Sequence, residues 1–436
     1  MSEKTHKGPM LINLVPDRER HVLIGVIPPY QLGPGEAPLD ELAGLVEAAG
    51  AEVAGRLWQK RRTTHSKTYL GKGKLADLKQ LVGDTKPDTI TVDSDLTPVQ
   101  LKTLEETLGT KVIDRSEVIL DIFASRARTH QAQLQVMLAQ AQYELPRLGR
   151  KWTHLERLGG GIGTRGPGET QIEADRRILR NRVQSLQEEL HAIESRRRQE
   201  VAARSEEFTV SIVGYTNAGK STLMNVLTDA NAFVKDQLFA TLDTLTRPCE
   251  LDTGITALVS DTVGFIRRLP HHLVASFHAT LEEAVQARLL LHVVDSSTPL
   301  AREHIRSVNQ TLKSIGCEGR EHLYVFNKVD QCPDPALLSA LREHYSPSVA
   351  ISALTGEGVD ELREAVRSRA AGSSQRRRIV LRFPASDGRR LAAINQVGRV
   401  LSTEYEENTA CVTVELGLAE LERLRRLPGP MEFDRA

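Results

Sequence analysis

Residues 214–221 read GYTNAGKS: a glycine, four variable positions, then Gly-Lys-Ser. Between a strand and a helix, such a loop turns successive backbone N–H groups toward one point and cradles phosphates at the helix N-terminus. Both flanks suit it, since FTVSIVG reads as a strand and STLMNVL as a helix. The set is Gly214, Tyr215, Thr216, Asn217, Ala218, Gly219, Lys220 and Ser221. Lys220 would reach the β- and γ-phosphates, and the Ser221 hydroxyl would ligate Mg²⁺.

Three further stretches follow in order, each behind a strand-like run. In DTVG, Asp261 could hold Mg²⁺ through water, and the Gly264 N–H, beyond Thr262 and Val263, could meet a γ-phosphate. In NKVD (Asn327, Lys328, Val329, Asp330) the Asp330 carboxylate could accept from both the ring N–H and the exocyclic amine of guanine. Adenine lacks that amine, and a site built on such pairing discriminates by about 10⁴–10⁵. In SAL (Ser352, Ala353, Leu354) backbone N–H groups could face the guanine oxygen. Any one stretch could be an ordinary turn; the four together at strand ends describe a guanine-nucleotide domain.

Two positions raise questions. In many GTPases the residue after the DxxG glycine is a glutamine that orients the attacking water. Here it is Phe265, whose ring offers no conventional hydrogen bond. The switch stretch FATLDTLTR, 239–247, offers Thr241, Thr244 and Thr246 as hydroxyls to complete Mg²⁺ coordination, and spacing leaves the choice among them open. Arg247 is either an internal arginine finger or a surface charge.

The elements that must position these groups fall into an α/β organisation. Residues 1–132 alternate strand-like runs (22–27, 52–57, 88–92, 111–114) with helical ones (39–49, 74–83, 97–108), which predicts a small, mainly parallel α/β domain. YLGKGK at 69–74 lacks the closing Lys-Ser/Thr and reads as a turn entering a helix. Over 133–204, Leu134, Leu138, Ala141, Leu145 and Leu148, then Leu179, Val183, Leu186, Leu190 and Ile193, keep a 4-3-4-3 spacing. That rhythm predicts two helices packed along a seam as an antiparallel hairpin. Its tip loop, 149–168, is rich in glycine and basic residues, and Arg150, Lys151, Trp152, Arg157 and Arg165 are candidates for contacting RNA phosphates and bases. A doubly wound, mainly parallel P-loop GTPase domain is expected over 207–370. A small α+β domain is expected over 377–436, from strand patterns at 379–383 and 410–416 and helical ones at 388–397 and 418–426.

Lys+Arg and Asp+Glu both number 57, so any basic face is local. The four cysteines form no CxxC pair, which argues against a zinc site or disulfide framework and for a reducing compartment. No run approaches the roughly 18 apolar residues of a spanning helix, and the first residues carry no signal-peptide core. A soluble cytoplasmic protein is expected.

Several stretches resemble the HflX family of GTPases: VIDRSEVILDIFASRARTHQAQLQ, GGIGTRGPGETQIEADRR, GYTNAGKSTL, LFATLD, LVSDTVGFIRRLP and FNKVD. The resemblance spans nearly the whole chain, loosening over the last ~60 residues; GPGETQ carries the most specificity. It implies a GTPase that binds the large (50S) ribosomal subunit. With Phe265 in place of the glutamine, the water is expected to be positioned in trans, so that the protein is slow alone and stimulated by the ribosome. A monomer whose tip loop reaches rRNA is expected. The resemblance further implies the splitting or rescue of stalled or idle ribosomes under stress. By the resemblance the GTP/GDP positions fall on Gly214–Ser221, on Phe239, Ala240, Thr241, Leu242 and Asp243, and on Asp261–Gly264, Asn327–Asp330 and Ser352–Leu354. Mg²⁺ falls on Ser221 and Thr241. Two departures stand out: HQAQLQ replaces the more usual HEGKLQ, and FATLDTLTR lacks the proline common after the Asp. A GTP-gated adaptor acting on a protein partner is the alternative. A tRNA-modifying GTPase would want cysteine chemistry that is not present.

Overall fold

Short apolar strands alternating with helices can bury both sheet faces only if the strands run parallel with helices crossing over them. The computed structural model of the chain shows this arrangement twice. It describes residues 18–29, 38–152, 167–203, 208–228, 238–239, 245–252, 255–267, 283–317, 319–373, 377–406, 409–416, 424 and 432–435. Two compact units divide the chain, residues 1–122 and 123–436.

In the first unit, strands β1 (Arg20–Ile27), β2 (Glu52–Lys60), β3 (Thr89–Val92) and β4 (Lys111–Asp114) form a parallel sheet in the order β2-β1-β3-β4. Helices α1 (Asp40–Ala48), α2 (Lys72–Thr85) and α3 (Pro98–Leu108) make the crossovers. The core gathers Val22, Ile24, Leu78, Ile90, Leu101, Leu104 and Val112. YLGKGK is a turn into a helix: Tyr69 and Leu70 are buried and Gly71 caps α2. Thr97 and Gln100 close a capping box on α3, with Pro98 in the first turn where its missing N–H costs nothing. Helix α4 (Arg115–Arg126) carries the chain onward.

The second unit opens with the seam helices α5 (His130–Glu144) and α6 (Pro167–Ala203). Leu134 and Leu138 pack with Leu186 and Leu190, flanked by Val183 and Ile193, so the 4-3-4-3 spacing marks a real interface. His130 at the start of α5 meets Glu189, 3.1 Å away, well along α6, as an antiparallel pair requires. At 1.5 Å per residue, α6 is about 55 Å long. The expected tip loop is shorter than its sequence range, since 149–152 end a 3₁₀ helix (Leu145–Trp152) and Pro167 opens α6.

A six-stranded sheet follows: β5 (Phe208–Gly214), β6 (Leu245–Asp252), β7 (Ile255–Asp261), β8 (Leu289–Asp295), β9 (Glu321–Asn327) and β10 (Ser348–Ala350). Its order is β10-β9-β8-β5-β7-β6, with β6 antiparallel at one edge, where Pro248 removes no ladder bond the sheet needs. β5 lies between β7 and β8, so connections leave it to both sides, and the crevice at the carboxyl ends opens there. Helix α7 (Lys220–Leu227) follows β5; α8 (Ala301–Ser314), α9 (Pro335–His344) and α10 (Val359–Ser373) complete the layers. The all-antiparallel tail sheet, β12-β13-β11-β14, comprises β11 (Arg377–Pro384), β12 (Arg399–Glu406), β13 (Thr409–Leu416) and β14 (Glu432–Arg435), with helix α11 (Gly388–Val397). Two of these strands, β12 and β14, are additions to the sequence reading, and the helix expected at 418–426 falls almost wholly outside the described residues.

Candidate nucleotide site

The loop after β5 is shaped by close approach. Gly219 caps α7 at φ 91°, and a β-carbon there would stand 2.2 Å from Asn327 Nδ2. That amide nitrogen donates to the Ala218 carbonyl at 2.9 Å, while Asn327 Oδ1 accepts from the Ala353 N–H at 2.9 Å. One buried side chain thus ties the phosphate-loop candidate to the SAL loop. Asn327 thus acts between loops, while Asp330 is exposed and Leu354 is 76% exposed. Lys328 sits at φ 62° and pairs with Asp295, 2.6 Å away, and the Val329 N–H donates to the Ile351 carbonyl. Ser352 is fully buried, and its hydroxyl accepts from the Thr355 N–H.

Lys220 is 7% exposed and folds back over its own loop, donating from Nζ to the Tyr215 carbonyl at 2.7 Å. Burial drives its ammonium down to about 8, with Asp261 opposing the shift. The Ser221 hydroxyl donates to Asp261 Oδ2 at 2.6 Å. Two hard oxygens therefore meet at the N-terminus of α7, beside a buried cation. The Thr216 hydroxyl is buried with no hydrogen-bond partner among the described residues.

The DTVG stretch is bound to the phosphate loop along its length. The Thr262 hydroxyl donates to the Ile212 carbonyl. Phe265 bridges to Tyr215 in parallel: the Thr216 N–H donates to the Phe265 carbonyl at 2.7 Å, and the Phe265 N–H donates to the Gly214 carbonyl at 3.1 Å. A β-carbon on Gly264 would stand 2.7 Å from Thr216 Cγ2 and 3.0 Å from Lys220 Nζ, so only glycine brings this backbone so near the lysine. The Phe265 ring is 2% exposed. Tyr215 stacks on His304 at 3.8 Å, and its hydroxyl accepts from the Arg267 N–H at 2.8 Å.

Of the switch stretch, Phe239 is described and buried; Ala240, Thr241, Leu242, Asp243 and Thr244 lie outside the described residues. Thr246 is on β6, bonded to Ser260 Oγ and Glu283 Oε2, and Arg247 pairs with Val259 in the same edge ladder. Arg157 and Arg165 also lie outside the described residues, as do the side chains of Arg150, Lys151 and Trp152.

Three family models match in succession: a GTP-binding GTPase N-terminal model over 36–124, a GTP-binding GTPase middle-region model over 126–204, and a 50S ribosome-binding GTPase model over 209–328. The GTPase HflX of Caldanaerobacter subterraneus subsp. tengcongensis is 42% identical over 420 residues, 96% of this chain and 96% of its own. That of Escherichia coli (strain K12) is 44% identical over 382 residues, 87% of this chain and 89% of its own. The chain belongs to the HflX GTPases. It is accordingly a hydrolase acting on GTP, built on a P-loop domain. Among solved structures, a GTP-binding protein from Sulfolobus solfataricus in complex with GDP is 25% identical, covering 82% of this chain and 100% of its own, with a TM-score of 0.43.

Two contacts to the motif stretches come from residues outside them. Asp295, which holds Lys328, and His304, which stacks on Tyr215, lie outside every motif. Asp295 ends β8 beside Asn327 in the ladder, so strand-end position was its one available signal. Nothing in the spacing of His304 marks it.

Proposed function

We propose that the loop Gly214–Ser221 holds the phosphates of GTP, that Asp330 and the Ser352–Leu354 loop take the guanine, and that the chain acts on the large ribosomal subunit. The observation that carries the nucleotide assignment is Asn327, which couples the phosphate loop and the SAL loop through two 2.9 Å bonds. Such a bridge fixes the distance between phosphate and base subsites before binding, and binding to a preorganised site loses less to ordering. Lys220, desolvated and aimed across the loop, supplies a positive charge whose value rises in low dielectric.

Mg²⁺ accompanies GTP in GTPases generally, and the donors fit it: Ser221 Oγ and the Asp261 carboxylate are the hard oxygens that this ion takes. Ser221 and Thr241 would hold it. When bound, it neutralises charge on the phosphate oxygens. The chain's own residues orient the nucleotide: Gly264 N–H and Lys220 face the terminal phosphate, and Ser221 and Asp261 set its near side.

Phe265 cannot orient a water, since its ring is buried and its backbone is committed to Gly214 and Thr216. The missing group therefore comes in trans, from the ribosome or from a switch ordered against it. Supplying such a group is worth about 10³–10⁵ in rate, or roughly 4–7 kcal/mol. The ribosome assignment is supported by the 50S ribosome-binding GTPase model over 209–328 and by the basic tip of the hairpin, where Arg150, Lys151, Trp152, Arg157 and Arg165 would meet rRNA. In this reading residues 1–132 and 133–204 engage the subunit, 207–370 hydrolyse GTP, and the GTP state splits or rescues idle or stalled ribosomes in the cytoplasm. Steady-state hydrolysis by the full chain alone, then with large subunits, small subunits and intact ribosomes, tests it. Stimulation by large subunits or intact ribosomes is expected; a flat rate across all four would detach the GTPase from the ribosome.

A further inference from the structure

The switch residue Phe239 is gripped from outside the nucleotide motifs. Phe123, in the last turn of α4, meets the Phe239 ring edge-on, with centroids 4.8 Å apart and planes at 75°. One turn on, Arg126 donates from Nη1 to the Leu238 carbonyl at 2.6 Å. Both rings are almost fully buried, at 1% and 2% exposure. Phe239 sits at φ 56°, a conformation that L residues adopt only where their surroundings impose it. One helix turn therefore holds both the ring and the backbone of this segment. Burial also lowers the Arg126 guanidinium below the ordinary arginine value. It stays charged, and in that environment its bond to the carbonyl counts for more than it would in water.

We propose that Phe123 and Arg126 are positioning residues for GTP hydrolysis, anchoring 238–239 at the head of the stretch that holds, two residues further along the chain, Thr241, the residue proposed above to complete the Mg²⁺ site of the GTP state. The proposal rests on the reading of 214–221 as the GTP site. GDP has no γ-phosphate to meet Thr241, so the anchor is felt by GTP and hardly by GDP. The expected size follows from population: if loosening the segment leaves it in place one tenth of the time, apparent GTP affinity falls tenfold. Only three residues separate Arg126 from α5, which Thr129 caps, so the anchor is also the root of the helical hairpin.

The test is equilibrium binding of GDP and of a non-hydrolysable GTP analogue, each with Mg²⁺, to the full chain and to Phe123→Ala, Arg126→Gln and Arg126→Lys. Phe123→Ala and Arg126→Gln should each lose about tenfold for the analogue with GDP within twofold, and Arg126→Lys should recover most of the loss. Single-turnover hydrolysis should slow in parallel. Equal losses for both nucleotides would reduce the contact to general stability, and no loss for either would overturn it outright. Should Phe123→Ala fail to fold, the Arg126 pair decides alone. A wild-type chain that bound neither nucleotide would refute the site reading, and the anchor with it. Lys220→Ala, expected to lose both nucleotides, marks that failure apart from a failed anchor.

Discussion

Replacing Lys220 by methionine should make the nucleotide-free chain more stable while abolishing its nucleotide binding. An ammonium that titrates near 8 in the fold, against 10.5 for a free lysine, is held charged at neutral pH at a cost. At 1.36 kcal/mol per decade, that cost is roughly 3 kcal/mol. Methionine fills the same slot without it, but strands the Tyr215 carbonyl, returning about 1–2 kcal/mol. The net gain is about 1–2 kcal/mol. The pH dependence gives an independent check. The folded value lies below the unfolded one, so between about 8 and 10.5 the unfolded chain binds more protons and stability rises with pH. From pH 7 to 9.5 wild type should gain about 2 kcal/mol relative to Lys220→Met. Denaturant midpoints for both proteins at the two pH values, with and without GDP, measure all three effects. A variant that is less stable than wild type without nucleotide, and that keeps the wild-type pH slope, would show that no penalty attaches to this ammonium.

His292 lies in the centre of the six-stranded sheet, 1% exposed, and burial, helped by His322 and Lys220, lowers it to about 3. The unfolded chain then binds the extra proton below pH 6.5, so about 2 kcal/mol of stability should vanish between pH 7 and 5 and return in His292→Asn, read from acid-denaturation curves. Gly219→Ala combines a left-handed backbone with a clash on Asn327 Nδ2 and breaks the bridge to Ala218. It should cost about 3 kcal/mol in urea unfolding and weaken GTP and GDP together. Phe265→Gln buries an amide where a ring was, costing about 3–5 kcal/mol, and should leave hydrolysis by the free protein unchanged. A tenfold rise without ribosomes would restore Phe265 as the missing catalytic position.

The local geometry of the candidate phosphate loop was legible because its demands are local. Gly219 needs a left-handed cap, Lys220 a helix N-terminus, and each strand end a turn; spacing along the chain encodes all three. The helical seam was legible for the same reason, since its 4-3-4-3 spacing is a helix repeat. What escaped was pairing between distant segments. Tyr215 with His304, Lys328 with Asp295, and Phe123 with Phe239 join residues 89, 33 and 116 positions apart, read from their numbering. None carries a periodic signal. Strand β12 was missed for another reason: it is an edge strand with residues 401–405 all exposed, so no apolar alternation marks it. The tie that Asn327 makes, with both ends of its amide on the backbone of two other loops, likewise joins distant segments and carried no signal in the spacing.

These ties also bear on which segment answers to nucleotide state. Residues 262–267 are joined to the phosphate loop and β5 by four hydrogen bonds, from the Thr262 hydroxyl, Thr216 N–H, Phe265 N–H and Arg267 N–H. At about 1 kcal/mol each, shifting the whole stretch would cost roughly 4 kcal/mol, above the 1–3 kcal/mol typical of coupling between ligand states. The Ser352–Leu354 loop is likewise tied to the phosphate-loop candidate by Asn327. Segment 238–239 meets α4 through the Phe123–Phe239 ring contact and the Arg126–Leu238 hydrogen bond, contacts worth about 2–4 kcal/mol together. Segment 238–239 leads into the stretch that holds Thr241, so exchanging GDP for a GTP analogue should change 238–239 and its anchor before it changes 262–267. Amide hydrogen exchange of the full chain in the two nucleotide states reads this directly. Protection that changes by tenfold or more at 123–130 and 238–247, with 262–267 steady, is the expected pattern; the reverse pattern would mean that the DTVG ties break far more cheaply than their hydrogen bonds imply.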